Sequence, residues 1–401
     1  MKRLKSILCC LLPMAYLCIS YAAENKIDYW NVQRKGTNYF NQTPSADWFI
    51  AAKEVGIQFA RLAPDKWECE KRDFLIQDAD SFTAISYHDL EALKIVLDHA
   101  QDNDVKVVLS LLSLPGSRWK QNNEGKDDLR IWEQKKYQDQ AILFWKSLAK
   151  VLKDHPTIVG YNILNEPHPE QLSDICDYRR INFQNWYASI KGSLADLNHF
   201  YRDIVSAIRE VDPLTPIIVD TGLYATPWAI DYLTPIKSDN IIYSFHMYEP
   251  YAYTTRKINN KQFIYPGPIP LNLEDAEKGL DPNTMTMNWN LDALEQFLQP
   301  VLTWQKKHDI PASRILVGEF GCDRTSSGAE KYLLDLIHIF NVNQWHWAFY
   351  SFREDCWDSM DYELGSDKLH WEYWEAVEQK GNLDKFRKNN SLFNVIKNDL
   401  K

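Results

Sequence analysis

Short apolar runs alternate along the chain with longer stretches whose apolar residues recur at helical spacing. The runs predict strands at Lys35–Asn38, Gln58–Leu62, Lys106–Leu111, Ile158–Leu164, Pro216–Asp220, Ile241–His246, Arg314–Glu319 and Gln344–Tyr350. Between them, apolar residues at i, i+3, i+4 and i+7 predict helices such as Tyr87–Asp102, Gln138–Lys153, Asn198–Glu210, Leu291–His308 and Ala329–Phe340. Eight strands alternating with helices imply an α/β fold closed into a parallel (β/α)8 TIM barrel rather than an open sheet. No glycine-rich phosphate loop follows the first run, as an open nucleotide-binding sheet would usually carry. Two connections are long, Glu166 to Leu197 after strand four and Met247 to Trp289 after strand six. Their aromatic content argues against disorder, so they are expected to wall a groove.

The first residues change the picture of where the chain works. Lys2, Arg3 and Lys5 precede an apolar stretch from Ile7 to Ile19, and Ser20-Tyr21-Ala22 offers small residues for cleavage after Ala22. Residues 1–22 therefore read as a signal peptide and 23–401 as one catalytic domain, exported to the periplasm or the medium. Loss of three basic residues takes the formal net charge from −10 to −13. That excess disfavours nucleic acid and anionic membranes as partners. Cys69, Cys176, Cys322 and Cys356 remain, enough for two disulfides in three possible pairings. Cys322 and Cys356 follow neighbouring strands and could bridge, leaving Cys69 with Cys176 by elimination. The cysteine spacing matches no zinc pattern, and nothing in the motifs implies a cofactor or a metal.

Candidate chemistry gathers where a barrel carries it, at the carboxyl ends of the strands. Arg61, Asn165, Glu166, His246, Glu319 and Tyr350 all fall at or near such ends. Glu166 closes Val159-Gly160-Tyr161-Asn162-Ile163-Leu164-Asn165-Glu166-Pro167, and Glu319 closes Ile315-Leu316-Val317-Gly318-Glu319. Two carboxylates converging on one rim are the minimal equipment for cleaving a glycosidic bond, one as proton donor and one as nucleophile or base. The chain has 15 Trp, 21 Tyr and 17 Phe, and flat aromatic faces suit pyranose rings.

Arg61 in Phe59-Ala60-Arg61-Leu62-Ala63-Pro64, Asn165-Glu166-Pro167, His246-Met247-Tyr248 and Gly318-Glu319-Phe320-Gly321 together resemble family 5 of the glycoside hydrolases, a cellulase-like group of retaining (β/α)8 enzymes. The resemblance extends from about Gly36 to about Gly365. It implies Glu166 as general acid/base, Glu319 as nucleophile, Arg61 and Tyr248 as partners of Glu319, Asn165 at the sugar 2-hydroxyl, and His246 beside the acid/base. It also implies a β-linked polysaccharide such as a glucan or mannan as the substrate of a monomeric enzyme. Two departures stand out: Leu112 occupies the place of a family histidine after strand three, and Tyr350 that of a tryptophan beneath the central sugar, with Trp347 or Phe352 taking the role if the register slips. Trp67, Trp228 and Trp347 are further candidates for stacking on substrate, as are Trp119, Tyr251, Tyr253, Trp289 and Trp357. Two other readings stay open: an exo-acting or glycolipid-directed enzyme of the same fold, or a carbohydrate-binding effector on an inactive scaffold.

Overall fold

The computed structural model describes residues 26–401 apart from 174, 176–179, 272–275, 278–283, 356 and 380. The segment read as a signal peptide, together with Cys176 and Cys356, thus lies outside the described residues. Eight parallel strands close into a barrel: β1 Lys35–Tyr39, β2 Phe59–Leu62, β3 Lys106–Ser110, β4 Ile158–Asn162, β5 Ile217–Asp220, β6 Ile241–Met247, β7 Ile315–Phe320 and β8 His346–Phe349. β8 returns to pair with β1, Gly36 facing Ala348.

Strand parity sorts the side chains. Phe59, Val108, Ile218, Ile242, Leu316 and Ala348 form the inner cluster with Ile27 and Trp30. The latter two come from an amino-terminal turn, Lys26–Asn31, and Trp30 donates its indole N–H to the Val159 carbonyl at 2.8 Å. The opposite parity packs the outer layer against helices α1 Ala46–Val55, α2 Tyr87–Asp102, α3 Lys135–Leu152, α4 Leu197–Arg209, α5 Leu291–His308, α6 Ala329–Val342 and α7 Ser391–Leu400. β5 is followed only by short turns, Gly222–Ala225 and Pro227–Tyr232. Leu223, Tyr224 and Ala225 all have positive φ, and Pro227 follows at once, so no helix propagates there.

The long connections are built rather than loose. Part of the one after β6 folds into an antiparallel pair, Gly267–Pro270 with Thr286–Trp289. Two further connections, residues 63–86 and 111–134, are also long. They are joined by Arg118, which reaches Asp73 at 2.9 Å, Asp78 at 3.0 Å and Asp80 at 3.3 Å. The acids after β8 are likewise committed to cations: Asp358 to Arg256 and Arg324, Glu363 to Arg353, and Asp361 to Arg387. Cys69 and Cys322 are free thiols, and the partners expected for them, Cys176 and Cys356, lie outside the described residues. Cys322 is fully buried, where it packs as a small apolar residue.

Candidate active site

The barrel lumen becomes polar at its carboxyl end, and Arg61 organises it. The guanidinium is fully buried on β2. It donates to Glu319 Oε1 at 2.6 Å, Asn38 Oδ1 at 3.0 Å, Asn162 Oδ1 at 2.7 Å and Asn165 Oδ1 at 2.5 Å, and lies 3.5 Å from Asp220 Oδ2. A buried cation needs this many acceptors to offset its lost hydration. Asn38 locks the arrangement by donating to the Gly318 carbonyl at 3.0 Å, and Ser110 donates to Asn162 at 2.8 Å.

Glu319 is fixed from both sides. Its second oxygen accepts from the Tyr248 hydroxyl at 2.8 Å. A register shift between β6 and β7 follows Phe245, so that His246 comes to lie opposite Glu319. A bulge of this kind re-aims side chains beside a site. Gly318 is required at it, because a Cβ there would sit 2.7 Å from Ser244 Oγ and 3.0 Å from His246 Nε2.

Glu166 reaches the same space from the end of β4. Its backbone is in the left-handed region, φ 50°, and its N–H lies 3.3 Å from Asp220 Oδ2. Its carboxyl hydrogen-bonds His246 Nδ1 at 2.8 Å, and that nitrogen lies 3.8 Å from Glu319. One atom each of Glu166, His246 and Glu319 lie within 4.8 Å of one another. Such a trio could in principle ligate a metal, but both Glu319 oxygens are already engaged by Arg61 and Tyr248.

The electrostatics differ between the two acids. Burial drives the Glu166 carboxyl up to about 7; Arg61 opposes this and the Asp220 charge adds to it. The side chain nevertheless keeps 29% of its surface open, as a group that must meet a substrate requires. Burial raises Glu319 too and the Glu166 charge adds to it, while His246, Arg61 and the Tyr248 hydroxyl oppose the rise without reversing it. Burial lowers His246, which is therefore neutral near pH 7. Of two close carboxyls, the one without a contacting cation takes the proton. A reaction needing Glu166 protonated and Glu319 ionised should then lose kcat/KM on the alkaline side of about pH 7, measurable with an aryl glycoside across pH. Stability carries the same sign. With its folded pKa raised from 4.5 to about 7, Glu166 favours folding below pH 4.5, and this is lost as pH climbs to about 7. The melting temperature of Glu166→Gln minus that of wild type should grow from pH 5 to pH 8.

The structure brings Arg61, Asn165, Glu166, His246, Tyr248 and Glu319 together as expected. Tyr350 packs edge-on to Trp357 at 5.8 Å and to Phe40 at 5.4 Å, and the Phe40 ring in turn lies 5.6 Å from the Arg61 guanidinium. Three other aromatic expectations are corrected. Trp347 is fully buried on the outer face of β8, its indole on Asn341 of α6, because strand parity puts Ala348 in the lumen. Trp228 sits on the Pro227–Tyr232 turn, buried edge-on to Phe183. Trp67 donates to the Asn41 carbonyl and packs on Phe74, bordering a flanking cavity that neither glutamate lines. Leu112 instead lines a cavity of about 160 Å3 beside Glu166, with Trp119, Lys120, Asp127, His168 and Tyr224. Tyr224 stacks on His168 at 4.4 Å there. Sequence reasoning passed over Asn38, Asn162 and Asp220, although each is a polar residue within or closing a segment that reads as a strand.

Comparison with known proteins points the same way. The description of cellulase, glycosyl hydrolase family 5, matches residues 21–355. Endoglucanase C of Acetivibrio thermocellus is 20% identical over 337 residues, 80% of this chain and 83% of that enzyme. A β-xylosidase of Phanerodontia chrysosporium is 28% identical over 162 residues, 39% of this chain but only 29% of that enzyme's length. Among solved structures, Thermotoga maritima Cel5A in complex with cellobiose superposes with a TM-score of 0.61 at 18% identity, covering 92% of this chain and 99% of that one. With a family match across most of its length and a closed barrel bearing the paired carboxylates, this chain belongs to glycosyl hydrolase family 5 and is a glycoside hydrolase.

Proposed function

We propose that the protein is an exported, retaining β-glycosidase that cleaves within a β-linked polysaccharide, a glucan before a mannan, by double displacement. The observation that carries this is the separation of the two acids, whose nearest oxygens lie within 4.8 Å across the barrel mouth. Retaining enzymes hold their carboxyls about 5–5.5 Å apart, whereas inverting ones need about 6.5–9.5 Å to admit a water. Glu319, fixed by Arg61 and Tyr248, attacks the anomeric carbon. Glu166 protonates the departing oxygen, then takes a proton from the water that hydrolyses the glycosyl ester. Asn165 turns its Oδ1 to Arg61, which leaves its amide N–H2 to bind the sugar 2-hydroxyl. We assign Tyr350, beside Phe40, the role of stacking on a pyranose, and the names endoglucanase and cellobiose among the relatives favour a glucan. Export rests on the basic and apolar amino-terminal pattern alone.

A 2-deoxy-2-fluoro glucoside with a good leaving group tests the chemistry. The enzyme should be inactivated stoichiometrically, and mass spectrometry should find the sugar on the peptide carrying Glu319. Labelling at another residue would refute the assignment. A second prediction concerns the donor. Glu166→Ala should lose on the order of 10²–10⁴ in kcat on substrates with poor leaving groups. Azide should restore turnover of a dinitrophenyl glycoside, giving the β-glycosyl azide detectable by NMR.

A further inference from the structure

We infer that Asp220 is a positioning residue for the proton donor: it anchors the Glu166 backbone and holds the proton of His246 on Nε2, so that Nδ1 accepts a hydrogen bond from the Glu166 carboxyl. This rests on Glu166 being the general acid/base.

Asp220 ends β5 and is fully buried, a third carboxylate in the lumen. Donors from side chains and backbone meet it. Oδ1 takes the Asn162 amide at 3.2 Å, and Oδ2 faces the Glu166 N–H at 3.3 Å and Arg61 at 3.5 Å. Glu166 stands at φ 50°, a conformation that is strained for a non-glycine residue and persists only where its surroundings impose it. The bond from its N–H to Asp220 is such a constraint.

The ring of His246 is buried between carboxylates. Nδ1 meets Glu166 at 2.8 Å, and Nε2 lies 3.7 Å from Asp220 Oδ2, an electrostatic rather than a hydrogen-bonding distance. A neutral imidazole carries one proton, and its partners decide which nitrogen holds it. A proton on Nδ1 would turn the lone pair of Nε2 towards the Asp220 charge and would donate to Glu166, favouring the ionised donor. A proton on Nε2 points the positive end of the N–H at Asp220 and leaves Nδ1 to receive the Glu166 proton. The second arrangement keeps the donor loaded. The charged and titratable groups facing this unit are Arg61 from β2, Glu319 from β7, and Tyr248 and Tyr251 beyond β6, with Tyr201 of α4 donating to the Asp220 carbonyl at 2.8 Å.

Asp220→Asn decides it. Because Oδ2 alone faces both the Glu166 N–H and His246 Nε2, the amide either keeps an uncharged oxygen there or turns its N–H2 to His246, and in either case the hold on the Nε2 proton is released. The alkaline limb of kcat/KM should move to lower pH by about one unit, as loss of a nearby negative charge dictates. The activity loss should grow with the pKa of the leaving group across a series of aryl β-glucosides. An unmoved limb with a uniform loss across the series would overturn the inference. Should the variant fail to fold, nitrogen-15 histidine NMR of the wild type reads the tautomer directly, with Nε2–H expected and Nδ1–H contradicting. A wild-type enzyme inactive on every β-glycoside would instead overturn the glycosidase reading, and the NMR result would still decide the tautomer.

Discussion

Glu319→Gln should abolish hydrolysis, with kcat falling on the order of 10⁵-fold or more, as for loss of other essential nucleophiles. The substitution keeps the shape of the side chain, so Arg61 and Tyr248 retain a hydrogen-bonding partner and glycan binding should survive. Isothermal titration of the variant with a cello-oligosaccharide checks the second point, and a reducing-sugar assay the first. Unchanged turnover would sink the assignment of Glu319. Loss of both turnover and binding would point to collapse of the site, which a melting curve would reveal.

Arg61→Met should have the largest effect on the fold. The guanidinium is the common partner of Asn38, Asn162, Asn165 and Glu319 and faces Asp220. Removing it strands two carboxylates and three amides inside the lumen. Breaking a buried ion pair from one side costs about 3–5 kcal/mol. Urea denaturation should show a loss of that order, and activity should vanish because Glu319 loses its only contacting cation among the described residues. Arg61→Lys should recover part of the stability but little activity. A single ammonium cannot span acceptors that a planar fork reaches together.

Much of this was legible in the sequence because the barrel obeys simple rules. Buried parallel strands read as apolar runs, and every expected strand lies within a residue or two of an observed one, with Ile158–Leu164 shortening to Ile158–Asn162. Glu166 and Glu319 stood out because a carboxylate closing an apolar run has no packing reason to be there. The aromatic expectations failed where tertiary packing decides. Trp347 and Tyr350 differ by three residues and so have opposite strand parity. The alanine between Trp347 and Phe349 marks the lumen side. Trp228 and Trp67 lie on loops, where no periodicity tells a groove wall from a buried prop. Asp220 was hidden for another reason: its meaning comes from His246 and the Glu166 backbone, which only the folded chain brings beside it. The Arg118 cluster joining the connections after β2 and β3 was equally invisible, since its partners lie far apart in sequence.

The stereochemistry of the first product distinguishes double from single displacement. Proton NMR of the reaction mixture in its first minutes, before mutarotation, reads the anomeric configuration of the newly released reducing end. Two inversions, at Glu319 and then at water activated by Glu166, predict the β anomer as the first product from a β-linked glucan. An α anomer appearing first would mean a single displacement by water and would contradict the role given to Glu319.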